Sequence, residues 1–107
     1  MSQEFEKKLK EFTEFINEKT GTVPAEGSTG VMCIEKKYID EFNKLRNELR
    51  LETDKNPSHP KYKTCDELLL MLDYCYKEKS IVRADFPQAN IYLLYREFKS
   101  GIQELEA

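Results

Sequence analysis

The chain contains no tryptophan and a single histidine, His59, among 107 residues. One histidine with no cysteine near it in sequence cannot supply the clustered ligands that zinc needs. It is expected to be a solvated loop residue between Ser58 and Pro60. The three cysteines, Cys33, Cys65 and Cys75, form no CxxC pair. Cys65 and Cys75 fall on one expected helix, about 15 Å apart at the helical rise per residue. That is beyond the reach of a disulfide, so reduced, mostly buried thiols are expected. Nothing in the sequence selects one of them to pair with His59 as a nucleophile, so no catalytic residue is assigned. There is no run near the roughly 20 apolar residues of a membrane span. The start, MSQEFEKKLKEF, has no apolar signal core. A cytoplasmic protein that does not cross a membrane is expected. The 17 basic residues are scattered and interleaved with 20 acidic ones, for a net charge of −3. Without concentrated positive charge, nucleic-acid binding is not expected.

Glycine and proline are also scarce, at four each. With abundant Glu, Lys and Leu, their scarcity favours helices. Charged residues make up 35% of the chain, but the apolar ones are clustered, which argues for a folded domain and against disorder. Four helical patterns can be read, over residues 3–19, 34–54, 64–79 and 87–100. In the first, Phe5, Leu9, Phe12 and Ile16 recur every three to four residues, widened by Phe15. The second presents Ile34, Tyr38, Phe42, Leu45 and Leu49 inward. The third starts at Thr64-Cys65-Asp66-Glu67, which fits a capping box. The fourth has Ile91, Leu94, Tyr95 and Phe98 on one face, continued by Ile102 and Leu105. Gly101 is expected to end it or to sit inside it at a cost of about 1 kcal/mol, with the tail from Ser100 fraying or repacking. Residues 21–33, GTVPAEGSTGVMC, break the pattern and allow a small strand pair. No internal repeat is apparent. The expected class is all-α, a single antiparallel four-helix bundle-like domain over residues 1–107.

Paired carboxylates hold magnesium in small helical nucleotide pyrophosphohydrolases. Glu11 and Glu14 have one such spacing, and Glu48 with Glu52 and Glu67 with Asp73 are further acids. No matching Glu-x-x-Asp follows on the second or third helix, so a solvated charged face is expected and no metal or cofactor. Gly27-Ser28-Thr29-Gly30 precedes a helix pattern but lacks the Gly-Lys-Ser/Thr ending of a phosphate loop. The start, SQEFEKKLKEF, superficially resembles acyl-CoA-binding proteins. Their Lys-Trp aromatic signature has no counterpart here, and no family is assigned.

What stands out is an apolar excess. On a helical plot Cys65, Leu68, Leu69, Leu72, Cys75 and Tyr76 share one side of the third helix. Leu70, Met71 and Tyr74 lie on the other, beside Glu67, Asp73 and Lys77. The fourth helix repeats this with Phe86, Tyr92 and Leu93 away from its inner face. Either the 21–33 segment or the C-terminal tail covers this second face, or another molecule does. Met, Tyr and Phe in a mixed patch are enriched at interface cores. The expected partner-binding set is therefore Leu70, Met71, Tyr74, Phe86, Tyr92 and Leu93. The expected function is non-enzymatic binding of another protein, of the inhibitor, immunity or anti-defence type carried by phages and mobile elements. A small-ligand or nucleotide-binding helical domain and a structural homodimer are the alternatives.

Overall fold

The computed structural model describes the backbone of residues 2–24, 30–77, 88–91 and 95–107, and the side chains of 3–20, 34–35, 37–73 and 98–107. Its helices are α1 (Ser2–Lys19), α2 (Ile39–Asp54), α3 (Tyr62–Cys75) and α4 (Tyr95–Glu106). α1 packs on α2 and α4, and α3 packs on the same two neighbours. This is the expected four-helix arrangement. The link between α2 and α3, residues 55–61, is short, whereas the other two connections between sequential helices carry strands. The periodicity that identified the helices also fills the core: Phe5, Leu9, Phe12, Phe15 and Ile16 from α1, Phe42 and Leu49 from α2, Cys65, Leu68, Leu69 and Leu72 from α3, and Phe98, Ile102 and Leu105 from α4 are all buried. Three aromatic rings meet where α1 crosses α2, with Phe15 stacked on Phe42 at 5.7 Å and Phe12 at 6.4 Å from the same ring.

The strand pair allowed in residues 21–33 is present and larger than expected. β1 (Thr20–Pro24) and β2 (Gly30–Glu35) pair antiparallel. Two further strands, β3 (Tyr76–Lys77) and β4 (Gln88–Ile91), extend them into a four-stranded sheet of order β1-β2-β4-β3. The sheet moves three helix boundaries. Ile34 carries the spacing of the second helix but lies in β2, opposite Thr20 on one side and Ala89 on the other, fully buried. A 3₁₀ turn at Lys36–Tyr38 follows, so α2 starts at Ile39. α3 stops at Cys75 because Tyr76 and Lys77 pair with Ile91 and Asn90. α4, described from Tyr95, begins after residues 88–91, which pair with β2, Asn90 and Ile91 also with β3. At its far end α4 runs on to Glu106, and the tail neither frays nor leaves the core, since Ile102 and Leu105 are buried.

The chain order α1-β1-β2-α2 is repeated as α3-β3-β4-α4. The strand pairing follows it with a one-residue offset, since Thr20↔Ile34 and Gly21↔Cys33 in the first half correspond to Tyr76↔Ile91 and Lys77↔Asn90 in the second. Adding the 57 residues that separate Cys33 from Asn90 sends the pair Met32↔Ile91 onto Ala89↔Ile34, and Cys33↔Asn90 lies on the axis. A 56-residue step sends buried Leu9 to Cys65, Phe12 to Leu68, Ile16 to Leu72, Phe42 to Phe98 and Leu49 to Leu105. The molecule is thus two αββα halves about a pseudo-two-fold axis. Only two of these five pairs keep their residue type, which is why the sequence shows no internal repeat.

Candidate functional site

The α2–α3 turn fixes how α3 presents its faces. Asn56 N–H donates to Thr53 O, His59 N–H to Asn56 O and Tyr62 N–H to His59 O, each near 3.0 Å. The Lys61 N–H donates to His59 Nδ1 at 3.0 Å. Nδ1 is therefore an acceptor, and the neutral ring carries its proton on Nε2, which faces Glu6 at 3.5 Å. Phe5 meets the same ring edge-on at 4.8 Å. Only 11% of the His59 side chain is exposed, so it is a structural part of the turn and not the solvated loop residue expected. Its side chain satisfies one of the free N–H groups of the first turn. The helix starts two residues before Thr64, and no Thr64–Glu67 capping box forms. Instead the Thr64 hydroxyl donates to Glu104 of α4 at 3.1 Å.

On its inner side α3 is tied to α2. Arg50 donates to Asp66 at 2.8 Å and to Asp54 at 3.2 Å. Thr53, fully buried, donates its hydroxyl to Leu49 O at 2.6 Å. That leaves the thiol of Cys65 as donor to Thr53 Oγ at 3.1 Å. Burial pushes the Cys65 thiol up to about 11. A thiol held protonated in this way is a poor nucleophile.

The outer side of α3 differs. Leu68, Leu69 and Leu72 are in the core, whereas Leu70, two residues or about 200° round the helix from Leu68, is 45% exposed. Glu67 and Asp73 are exposed on either side of it in sequence. Met71, expected on the same outer face, is half-buried and packs against the edge of the core. Tyr74 belongs to α3 by its backbone, but its side chain lies outside the described residues, as do Phe86, Tyr92 and Leu93 altogether. Of the six expected contact residues, Leu70 is the one placed at the surface. Sequence reasoning missed Leu51 of α2, which is 61% exposed. Its distance of two residues from inward-facing Leu49 was the available signal.

The acidic spacings on α1 and α2 do not assemble a metal site. Among the described residues no group of three or more potential ligands comes together. Glu11, Glu14 and Glu48 line an α1–α2 groove of about 490 Å³ over Phe15 and Leu45. Lys8 enters this groove and donates to Glu48 at 3.0 Å and Glu11 at 3.3 Å. The Glu48 hydrogen bond, then Glu11, hold the Lys8 ammonium above its ordinary value despite partial desolvation. A lysine thus occupies the space a cation would take. The Gly27–Thr29 part of the GSTG stretch lies outside the described residues. Among the described residues, no helix is long and apolar enough to cross a membrane. No family model, curated protein or solved structure matches the chain.

Proposed function

We propose that this protein is non-enzymatic and acts by binding another protein, through the outer face of α3 and the segment leading into α4. The observation that carries this is Leu70. A leucine in mid-helix is 45% exposed while its neighbours in sequence are packed, so folding leaves it available. Exposed apolar side chains set among polar ones are the usual anchors of contact sites when they belong to a larger patch. Tyr74, Phe86, Tyr92 and Leu93 are the proposed remainder of that patch. Glu67 and Asp73 beside it favour a partner with an apolar pocket rimmed by basic groups, since complementary charge raises the association rate. Inhibitor, immunity and anti-defence proteins of phages and mobile elements share this small size and acidic composition. That class, working in the cytoplasm by occluding its target, is the one proposed, on analogy of size and charge.

The test is affinity capture from the native cell with the wild-type chain and with Leu70→Glu as baits, read by quantitative mass spectrometry. Glutamate keeps helix propensity, so the far-UV CD spectrum should be unchanged. The reading requires a protein captured by the wild type and lost with the variant. Identical capture by both baits would remove the α3 face from consideration.

A further inference from the structure

We infer that the outer face of α3 receives a lysine side chain of the partner, its ammonium held between Glu67 of α3 and Glu104 of α4 and its stem laid along Leu70. This rests on the α3 reading proposed above and names the chemistry that the face recognises. Lysine is selected by the other half of the molecule. The 56-residue step that relates the halves carries Lys8 to Thr64, Glu11 to Glu67, Glu14 to Leu70, Phe15 to Met71 and Glu48 to Glu104. The hydrogen bonds obey the same step. Lys8 Nζ donates to Glu48 at 3.0 Å, and the Thr64 hydroxyl donates to Glu104 at 3.1 Å. The α1–α2 groove and the α3–α4 face are thus one arrangement built twice.

In the first half an ammonium joins the two carboxylates, since Lys8 also donates to Glu11 at 3.3 Å. In the second half an uncharged threonine stands in the place of that lysine. Glu67 lies one helical turn on from Thr64 and Glu104 bonds to it, so both carboxylates flank the same spot. Both are exposed, and among the described residues neither forms an ion pair. A cation supplied from outside would relieve the repulsion between them. The first half brings one oxygen from each carboxylate to a single nitrogen, which suits the three donors of an ammonium. A guanidinium fits a two-pronged match with one carboxylate better, so lysine is favoured over arginine. Next to the pair, charge gives way to apolar surface. Glu14 is exposed on α1, and its counterpart Leu70 is 45% exposed on α3. The fold accepts a charge at that point, so core packing does not account for the leucine. The methylene stem of a lysine is apolar along its length, and Leu70 offers it the contact that Glu14 does not.

The relation between the halves makes the test reciprocal. The probe is capped lysine, Nα-acetyl-lysine methylamide, titrated into the full carbon-labelled chain and followed by NMR at the side-chain carboxylates. Saturable shifts are expected at Glu67 and Glu104 and none at Glu11 and Glu48, where Lys8 already sits. Thr64→Lys, which rebuilds the first arrangement in the second half, and Glu104→Gln should each weaken probe binding about tenfold or more, the value of one charge-assisted hydrogen bond. Lys8→Thr should open a second site at Glu11 and Glu48. No saturable shift, equal shifts from the capped norleucine analogue, tighter binding of capped arginine, or binding that survives Thr64→Lys would each overturn the inference. Thr64→Lys as a third bait in the capture experiment separates it from the reading beneath it. A protein lost with Leu70→Glu but kept by Thr64→Lys leaves the α3 face in place and removes the lysine. Loss with both baits, alongside the probe result, is the outcome required, and loss with neither removes the face and the lysine together.

Discussion

Cys65 and Gly101 each hold their helices together by what they lack, a charge in one case and a side chain in the other. The folded state binds the Cys65 proton more tightly than the unfolded chain does, because burial disfavours the thiolate. The stability this provides is full below pH 9, the ordinary thiol value, and is lost as pH rises through about 11. By linkage the loss is on the order of 2 kcal/mol. Urea unfolding from pH 8 to 11 should show the wild type losing that much more than Cys65→Ala, which lacks the titrating group. At Gly101, an added Cβ would stand 2.7 Å from Leu68 Cδ2 and 3.2 Å from its Cγ and Cδ1. Two effects oppose there. Alanine gains about 1 kcal/mol of helix propensity, while overpacking a filled core costs about 1–3 kcal/mol. Leu68 is buried at 3% exposure and cannot swing aside, so overpacking wins. Gly101→Ala should destabilise the wild type, yet stabilise a Leu68→Ala background where the clash is gone. A double-mutant cycle by chemical denaturation reads this change of sign.

For the elements, the helices were legible where a single period ran unbroken, as for Phe5, Leu9, Phe12 and Ile16. Their ends were not, because strand pairing is information held elsewhere in the chain. Ile34 and Tyr38 keep the four-residue spacing of a helix, but Ile34 takes its conformation from Thr20 and Ala89 on either side. Residues 88–91 are likewise drawn out of the fourth helix by Met32 to Glu35. The start of α3 misled for the opposite reason. A local motif at Thr64–Glu67 was present, but the turn through His59 supplies a cap two residues earlier. The surface position of Leu70 followed from its angle on the helix. Met71 did not, since the same angular argument cannot say how far the core extends round an edge. The α3 start yields a contrast: Thr64→Ala should cost only a few tenths of a kcal/mol, the value of one exposed side-chain pair. His59→Ala removes both the acceptor for Lys61 N–H and the ring packed on Phe5, and should cost about 1–2 kcal/mol. Thermal unfolding of the two variants ranks them.

At the scale of the whole molecule, the pseudo-two-fold axis says where the chain can be cut. Each αββα half buries one side of the core and completes it only against the other, through β2 on β4, α2 on α3 and α1 on α4. One described link crosses between the halves, residues 55–61, and Pro57 and Ser58 within it are exposed. No strand pair or helix spans that point. A chain opened between Pro57 and Ser58 therefore loses the covalent tether and weakens the His59 N–H to Asn56 O hydrogen bond of the turn, but keeps the packing between the halves. What it loses is effective concentration, about millimolar for a short link, so the two fragments should associate reversibly. Co-expressed fragments 1–57 and 58–107 are expected to purify as a one-to-one complex with the far-UV CD of the intact chain, and to unfold on dilution. A cut at an equally exposed point inside a half, after Leu51 in α2, separates Thr53 from its partner Leu49 and should give no folded complex. If both cut chains behave alike, the halves are not the cooperative units, and the repeated topology is a matter of strand order alone.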